Sequence, residues 1–418
     1  MIALVDCNAF FCSCELIFAP EYKNKPVVVL SNNDGCALAR TDEAKALGIK
    51  MAQPYFEFKH FEKTHGLKTF SSNFALYINI SDRVMNLLEK MSPDIAVYSV
   101  DEAFLDLKGM PNVEKFAYEV KDKILNHIGI PVGVGIGPTK VLAKAANFLA
   151  KTSKKAKGVV NLMSRKHQDV ALERIEILEI WGIGRATAAK LKAMGIKTAK
   201  DLRDYSNEKL LQKIFGKTIL QIKNELMGIQ CFPFHKAEAA KKEIMCSRTF
   251  AKSVYDIEVL KESVATYVTD AAEKMRSQGS LCSEISVFAR SNPHNELEQG
   301  SLYESERLRN PTANTLKLIK HALALTEKGY QLGHEYKKVG VKLGQFSQGT
   351  DYQVDFLSPQ DTPEEHELMA VLDHINYYEG DQTIKSAACG TTDNAWRMNR
   401  NFKSPRYTTS WNELKKFN

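Results

Sequence analysis

The sequence lacks the features that would assign it to a membrane, a secretory route or a disulfide framework. No apolar run in its 418 residues approaches the length needed to cross a bilayer, and no basic stretch precedes the apolar N-terminus MIALVDCNAF. The eight cysteines include no CxxC pair, and four of them lie within the first 36 residues. These absences argue against a membrane anchor, secretion and a zinc site, and favour reduced thiols in the cytoplasm.

Internal repeats are also absent, and neither sign of charge dominates. The formal charge of +7 permits a nucleic-acid partner without requiring one. A chain of this length has room for two to four domains. Changes of pattern near residue 151, near 240 and near 346 indicate where such domains meet.

Three acidic residues lie next to strand-like runs. The apolar run IALV leads to Asp6, and the pair Asp101 and Glu102 lies between IAVYSV and AFLDL. Nucleotidyl transfer uses two divalent cations that bridge the attacking and leaving oxygens, and magnesium prefers oxygen ligands. Taken alone, the acids are a weak signal, because an acidic turn beside a strand also occurs by chance.

The surrounding motifs are more specific. ALVDCNAFFCSCE (3–15), YSVDEAFLDL (98–107) and VGVGIGPTKVLAKAAN (132–147) resemble the Y-family translesion DNA polymerases, motif by motif and in order. SNNDGCALARTDEAKALGIKM (31–51) and SPRYTT (404–409) resemble the UmuC branch of that family. The resemblance extends over essentially the whole chain. It implies error-prone DNA synthesis past damaged bases, as in an SOS-type mutagenic response.

The resemblance also implies a fold class and a domain order. We expect an α/β multidomain, right-hand polymerase with palm, small fingers, helical thumb and α+β little finger. The implied divisions are palm at 1–20 and 76–165, fingers at 21–75, thumb with a helix-hairpin-helix at 166–238, little finger at 239–345, and a clamp-binding linker with a partner-docking tail at 346–418.

Carried over by position, Asp6, Asp101 and Glu102 match the family's metal-binding carboxylates, with the main-chain carbonyl of Cys7 as a further ligand. The implied cofactors are two Mg²⁺ ions, and the implied substrates are deoxynucleoside triphosphates (dNTPs). Asp106 is the competing acidic residue, and we interpret it as structural or as supporting the ligands from behind.

Phe11 falls where the family places its steric gate, a ring that packs where a ribose 2′-OH would project. Many relatives have Tyr at that position, so discrimination by bulk is expected here without any contribution from a phenolic oxygen. Phe10 is expected to pack into the domain beside the nucleotide site. Without the resemblance, both rings are as readily interpreted as core.

For the triphosphate, the expected contacts are Lys45 and Lys151, with Arg40 as a further candidate. Lys45 lies in a helix that begins at Thr41, and helix N-termini favour anions. Other branches have Tyr where this chain has Asp42 and Arg where it has Lys45, so we expect Asp42 to turn away from the phosphates.

Lys151 ends a polar stripe at positions i, i+4, i+7 and i+11 of one helix, formed with Lys140, Lys144 and Asn147. For Lys140 and Lys144 a solvated helix face is an equally good interpretation. Lys151 matches the phosphate-contacting lysine of the family.

Two segments are candidates for contacts with DNA. IEILEIWGIGRATAAKLKAMGI (175–196) has the form of a helix-hairpin-helix, in which Gly182 and Gly184 allow a tight turn beside Arg185. An ordinary corner between two helices is the alternative. In the α+β module, Arg248 at the start of the first strand is a further phosphate contact.

Partners are implied by the C-terminal region. Gln353, Phe356 and Leu357 lie in a linker-like stretch that resembles the short peptide with which bacterial polymerases dock on the sliding clamp. The basic and aromatic tail (396–411) has the composition of a nucleic-acid arm, but the resemblance to the UmuC branch implies docking to a processed UmuD-like dimer or to a RecA filament instead. The sequence does not decide between these partners. With primer-template DNA as substrate, we expect a cytoplasmic, nucleoid-associated enzyme.

Two rival functions use the same features. A nucleotide cyclase would share the paired metals but would have no use for the hairpin, the little-finger module or the clamp peptide. A DNA-bound scaffold with a vestigial metal site is the non-enzymatic alternative, and the intact Asp6, Asp101 and Glu102 argue against it.

Overall fold

The computed structural model describes residues 1–235, 239–293, 300–348, 351–380, 382–390, 396 and 398–414. It divides into two compact units. The first unit contains Met1–Ala237 together with Arg400–Asn418, and the second contains Glu238–Asn399. The expected thumb boundary at residue 238 lies outside the described residues.

The N-terminal part of the first unit alternates strands and helices. In chain order its elements are β1 (Ile2–Cys7), α1 (Phe10–Phe18), β2 (Val27–Leu30), β3 (Ala37–Arg40), α2 (Asp42–Ala46), α3 (Tyr55–Phe58), α4 (Phe61–His65), β4 (Lys68–Ser71), α5 (Phe74–Glu89), β5 (Ile95–Val97), β6 (Glu102–Asp106), α6 (Val113–Ile128), β7 (Val132–Gly137), α7 (Lys140–Thr152) and β8 (Val159–Asn161).

The main sheet of the first unit has the order β5-β6-β1-β7-β8. Strand β1 is buried along its whole length and lies antiparallel to both β6 and β7. Helix α7 packs on β7 so closely that a Cβ at Gly135 would lie 2.2 Å from the backbone nitrogen of Asn147. The glycines of VGVGIG therefore allow helix α7 to reach the sheet.

A smaller sheet of order β3-β2-β4 lies between α1 and α5 in the chain. Strand β2 pairs in parallel with β4 and antiparallel with β3. The Thr41 hydroxyl accepts a hydrogen bond from the nitrogen of Ala44, which makes Thr41 the N-cap of α2 as expected from the sequence. This sheet has its own apolar cluster, in which Leu30 and Phe58 are fully buried.

The rest of the first unit before residue 235 is helical, as the sequence indicates for 165–235. Its helices are α8 (Arg165–Arg174), α9 (Arg185–Ala193), α10 (Ala199–Asp204), α11 (Glu208–Phe215) and α12 (Lys217–Leu226). The Glu225 carboxylate is completely buried, and it accepts hydrogen bonds from the nitrogens of Val141, Cys231 and Phe232. Glu225 therefore joins α12 to the first turn of α7.

The second unit is an α+β module, as expected. Its elements are β9 (Ile244–Val254), α13 (Ile257–Ser277), β10 (Ser280–Arg290), β11 (Ser301–Thr312), α14 (Thr315–Gly329), β12 (Tyr336–Gly344), β13 (Ser347–Gln348) and α15 (Pro363–Glu379). The sheet order is β11-β10-β12-β9, and apolar residues of α13 and α14 bury one face of it. Helix α13 and strand β11 are additions to the elements expected from the sequence.

The stretch after β13 is more ordered than a free linker. The Asn310 side chain donates to the carbonyls of Asp355 and Ser358, and the Asp361 carboxylate accepts from the Thr312 hydroxyl. Within the part of the chain described, no helix is both long and apolar enough to cross a membrane.

Candidate active site

The acidic residues predicted from the sequence meet at one end of the main sheet. Asp6 in β1 lies directly opposite Glu102 in β6. Asp101 precedes β6, and its carbonyl accepts a hydrogen bond from the nitrogen of Cys7 at 2.9 Å. The Asp101 carboxylate accepts from the Ser99 hydroxyl at 2.6 Å. The three acids are therefore neighbours, although Asp101 points its carboxylate toward Ser99.

Each carboxylate of the facing pair has its own lysine from helix α7. Lys151 forms an ion pair with Asp6, and Lys144 lies 2.8 Å from Glu102. The two lysines lie seven residues apart and so project from the same side of the helix. Helix α7 thus supplies positive charge along the edge of the acidic pair.

Burial and mutual contact change the proton affinity of the acidic pair. Burial, with a hydrogen bond to Glu102, raises the pKa of Asp6 to about 7 despite the attraction of Lys151. For Glu102, burial acts in the raising direction, but hydrogen bonds with Asp6 and Lys144 leave its pKa below the usual value. Asp6 therefore holds a proton more readily than Glu102 does, because burial disfavours its charged form and its hydrogen bond with Glu102 favours the protonated one.

The donor set suits a hard cation, although the ligands are not gathered at one point. Carboxylate oxygens of Asp6, Glu102 and Asp101, with the Cys7 carbonyl, are the ligand type that magnesium prefers. No cluster of three or more His, Cys, Asp or Glu side chains able to hold a metal ion occurs among the described residues. The raised pKa of Asp6 is consistent with a site that a cation would stabilise.

A cleft of about 320 Å³ opens beside these acids. Its lining contains most of the residues predicted to hold metal or nucleotide: Asp6, Cys7, Phe10, Phe11, Arg40, Lys45, Asp101 and Lys151. The lining also includes Leu38, together with Ala39 and Met51, to which the sequence assigned no role. Residues that lie up to 145 positions apart in the chain thus line one cleft.

The two phenylalanines that follow β1 have different surroundings. Phe10 is 3% exposed and belongs to the core, while Phe11 is only partly buried. The Phe11 ring stacks on the Tyr77 ring, with centroids 4.6 Å apart and an angle of 17° between the planes. The Phe74 ring meets Phe11 edge-on. Phe11 therefore presents a supported ring to the cleft.

The basic residues on the fingers side already have partners. Lys45 lies 2.7 Å from Asp42, whose side chain is almost fully exposed. Arg40 donates through Nη1 to the carbonyl of Ile49, while its buried Nε has no hydrogen-bond partner among the described residues. Asp42 thus pairs with the lysine expected to bind phosphate.

The polar stripe of α7 is buried at Lys140 and Asn147, partly buried at Lys144, and exposed at Lys151, where it ends. Lys140 is 8% exposed and donates to the carbonyl of Phe234, and Asn147 donates to the carbonyl of Gly133. The alternative interpretation of Lys140 and Lys144 as a solvated face is therefore wrong. Asp106, in contrast, lies opposite Ile2 at the far end of β1 from Asp6, outside the site.

The predicted hairpin turn lies before α9. Gly182 has a φ of +90°, and a Cβ there would lie 2.9 Å from Ile222. Gly184 is the N-cap of α9 and offers no side-chain cap, so first-turn N–H groups remain available to another acceptor. Arg185 is exposed beside them.

In the second unit, the sheet has one face covered by helices and one open face. Arg248 lies inside β9 rather than at its start, opposite the buried Val339. It therefore projects on the helix-covered side, where its charge acts on Tyr267 of α13. The alternation of the strands assigns other residues to the open face: Met245, Ser247, Phe288, Arg290, Tyr303, Arg307, Lys338 and Lys342.

The expected clamp peptide is open to solvent. Phe356 and Leu357 are 92% and 91% exposed, the largest exposure of any apolar side chain described. Neighbouring Asp355 is held to Asn310 on β11, which anchors the peptide to the module. Of the tail residues, Arg397 lies outside the described residues.

Models of known families match four stretches of the chain. The impB/mucB/samB family model matches residues 5–147, and the C-terminal domain of that family matches 241–356. The model described as DNA polymerase-iota, thumb domain, matches residues 179–221. A domain of unknown function matches 366–416.

Two curated relatives match over nearly their full length. Protein UmuC of Salmonella typhimurium is 40% identical over 421 residues, covering 99% of both chains, and protein ImpB of Salmonella typhimurium is 36% identical with the same coverage. Among solved structures, a Y-family DNA polymerase chimera of Dbh and Dpo4 is 26% identical, with a TM-score of 0.65 over 84% of this chain and 100% of the other. The chain therefore belongs to the impB/mucB/samB family and is a Y-family DNA polymerase of the UmuC branch.

Proposed function

We propose that this polymerase extends a DNA primer past damaged bases by two-metal nucleotidyl transfer at Asp6, Asp101 and Glu102. The observation that carries the proposal is the register of β1 and β6, which sets Asp6 opposite Glu102 and beside Asp101. Two magnesium ions, when bound, would activate the primer 3′-OH and stabilise the charge on the leaving pyrophosphate. The protein's task is to hold the reactants in line and to neutralise the phosphates.

The cleft beside the acids is the proposed site for the incoming dNTP. Lys151 and Lys45 would contact the triphosphate, with Arg40, which also lines the cleft, as a further contact. Lysine ammonium groups pair with phosphate as point charges, so each must leave its present carboxylate partner, Asp6 or Asp42. Substrate binding would therefore exchange ion pairs within the protein for ion pairs with the nucleotide.

Phe11 is the proposed gate against ribonucleotides. Its ring lines the cleft and is supported from behind by Tyr77, so a ribose 2′-OH would meet a ring that cannot withdraw. Exclusion by packed atoms needs no hydrogen bond, which explains how Phe can serve where relatives have Tyr.

Backbone contacts with DNA are proposed for two surfaces. The turn at Gly182, Gly184 and Arg185 offers N–H groups and a guanidinium to a phosphate, without selecting a sequence. The open face of the sheet in the second unit carries Arg290, Arg307, Lys338 and Lys342 and is a better candidate surface than Arg248. Such contacts suit an enzyme that moves along any template.

The proposed macromolecular partners engage the C-terminal region. Gln353, Phe356 and Leu357 would dock in an apolar groove of the sliding clamp and thereby raise the local concentration of enzyme at the primer end. A processed UmuD-like dimer and a RecA filament are the further proposed partners. They would bring the enzyme to damaged DNA in the nucleoid during an SOS-type response.

The function is tested by incubating the full-length chain with primed template, dNTPs and magnesium, with and without a UmuD-like dimer and clamp. Elongated primer supports the polymerase. Cyclic nucleotide in place of elongated primer would select a cyclase, and retarded DNA without product would select a scaffold. A template with one abasic site, compared with the undamaged template, tests synthesis past a lesion.

A further inference from the structure

The C-terminal segment returns to the first unit and pairs with the edge of its smaller sheet. Phe402 accepts a hydrogen bond from the nitrogen of Ser71 at 3.0 Å and donates its own nitrogen to the Ser71 hydroxyl at 2.9 Å. The nitrogen of Asn401 donates to the Asp34 carboxylate, which also accepts from the Ser71 hydroxyl. The segment is thus tied to the C-terminal end of β4, about 330 residues earlier in the chain.

Ser404, two residues after Phe402, reaches a buried carboxylate. Its side chain is 7% exposed, and its hydroxyl donates to Oε1 of Glu15 in α1 at 3.0 Å. Asn73 donates to both the hydroxyl and the carbonyl of Ser404. Farther along, the Tyr407 ring stacks on the Phe18 ring at 4.5 Å. We call residues 401–407 the strap, because they connect β4 to α1.

Glu15 connects Ser404 to a residue beside the nucleotide cleft. It is 1% exposed, and the same Oε1 atom accepts a hydrogen bond from the Tyr77 hydroxyl at 2.6 Å. The Tyr77 ring is the one that stacks on Phe11. A continuous series of contacts therefore runs from Ser404 through Glu15 and Tyr77 to the ring that faces the nucleotide.

We propose that the strap is a positioning element for Phe11, so that discrimination between deoxyribose and ribose depends on Ser404. This inference rests on the proposed gate role of Phe11. A gate excludes a 2′-OH only while its ring cannot yield by the width of one oxygen atom. Phe11 is partly buried, so its resistance depends on the Tyr77 ring behind it, and the Tyr77 hydroxyl is held by Glu15.

The energetics favour a coupled arrangement. A carboxylate as buried as Glu15 depends on its hydrogen bonds, because burial disfavours the charged form. Its second oxygen, Oε2, has no hydrogen-bond partner among the described residues. The carboxyl group is therefore stabilised by the two hydroxyls that donate to Oε1, those of Ser404 and Tyr77. Removal of the Ser404 hydroxyl leaves one donor, and the freed carboxyl can rotate and release Tyr77.

The strap also lies within the stretch that matches a domain of unknown function, residues 366–416. That stretch begins in α15 of the second unit and ends in the first unit. The inference gives the last part of this stretch a role within the polymerase site, separate from the binding of partners.

The test compares full-length variants under conditions in which the wild type extends its primer. The measured quantity is the ratio of kcat/KM for a dNTP to kcat/KM for the matching ribonucleotide. We expect this ratio to fall about three- to tenfold in Ser404→Ala, and also in Tyr77→Phe, which keeps the ring and loses only the hydroxyl. A role in stability alone would lower both rates together and leave the ratio unchanged.

Two variants are matched controls. Thr409→Ala removes the hydroxyl of an exposed residue just beyond the strap and should keep the wild-type ratio. Glu15→Gln keeps an oxygen that accepts from both Ser404 and Tyr77, so it should also keep the ratio. Melting temperatures recorded alongside identify any variant that fails to fold, and Tyr77→Phe then carries the test.

The results separate this inference from the gate itself. A wild-type ratio in Ser404→Ala and Tyr77→Phe, with a lowered ratio in Phe11→Ala, would overturn the strap and leave the gate standing. A wild-type ratio in Phe11→Ala would overturn both. A lowered ratio in all three, with unchanged controls, is the expected result.

Discussion

The Lys144 ammonium lies 2.8 Å from the Glu102 carboxylate and also faces three aromatic rings. Its Nζ atom is 4.4 Å from the centre of the Tyr98 ring, 5.5 Å from that of Trp181 and 5.9 Å from that of Phe104. Aromatic faces attract a cation, so this lysine is held in place from two sides. A divalent ion bound at the proposed ligand Glu102 would therefore have to compete with Lys144.

Replacement of Lys144 is expected to strengthen magnesium binding in the absence of DNA. In Lys144→Gln the ion no longer displaces an ammonium from Glu102, and a charge-assisted hydrogen bond is worth about 1.5 kcal/mol, or roughly tenfold in affinity. The measurement is the magnesium concentration that gives half of the rise in melting temperature. Lys140→Gln, on the same helix but bonded to a carbonyl, is the control. An unchanged midpoint in Lys144→Gln would contradict the competition.

Lys151→Ala is expected to raise KM for dNTPs by about tenfold or more, since the variant loses one charged contact to phosphate. The dissociation constant for primed DNA without nucleotide should change by less than about twofold, because Lys151 faces the nucleotide cleft. Steady-state kinetics and a DNA-binding titration measure the two effects. Lys155→Ala, an exposed lysine just beyond α7, is the control. Equal losses in KM and in DNA binding would remove Lys151 from the triphosphate site.

The clamp peptide is tested by replacing Gln353, Phe356 and Leu357 together with alanine. Synthesis without the clamp should be unaffected, while stimulation by the clamp should be lost, because both apolar anchors are gone. Primer extension at low enzyme concentration, with and without the clamp, measures the effect. Leu332→Ala removes another exposed apolar side chain and is the control. Stimulation that persists in the triple variant would refute the assignment.

Glu15→Gln is expected to change how stability depends on pH. Burial raises the pKa of Glu15 from 4.5 to about 7, so the folded state favours its protonated form. The contribution of Glu15 to stability is therefore complete below about pH 4.5 and is lost as the pH rises through 7. Glutamine is neutral throughout.

The advantage of Glu15→Gln over wild type should therefore grow between pH 5 and 8, to about 3 kcal/mol at most. Denaturant unfolding at several pH values measures this difference. Glu89→Gln, at an exposed position of α5, controls for the loss of one negative charge. A difference that does not vary with pH would show that Glu15 does not bind a proton in this range.

The sequence was sufficient to predict strands and helices around the cleft. It was insufficient to predict which other parts of the chain pack on them. The apolar run IALV and the capping residue Thr41 predict β1 and helix α2, because both features depend on neighbours in the chain. The grouping of Asp6 with Glu102 was implied by the family resemblance, and the register that sets them opposite each other is seen only in the structure. In contrast, the spacing of Lys140 and Lys144 shows that they share one face of a helix. It does not show that Phe234 and Glu102 contact that face.

Long-range contacts account for the other differences. The return of Ser404 to Glu15 joins residues 389 positions apart, and no local pattern encodes such a contact. The face of the sheet on which Arg248 lies depends on the register with β12, since a shift by one residue reverses the side. Both features required the folded chain.

The most direct test of the polymerase site is primer extension by Asp101→Ala, with DNA binding measured on the same preparation. Asp106→Ala, which removes an acid at the other end of β6, is the matched control. The account predicts no extension by Asp101→Ala, retained DNA binding, and wild-type extension by Asp106→Ala. Normal extension by Asp101→Ala would contradict the assignment of the catalytic carboxylates.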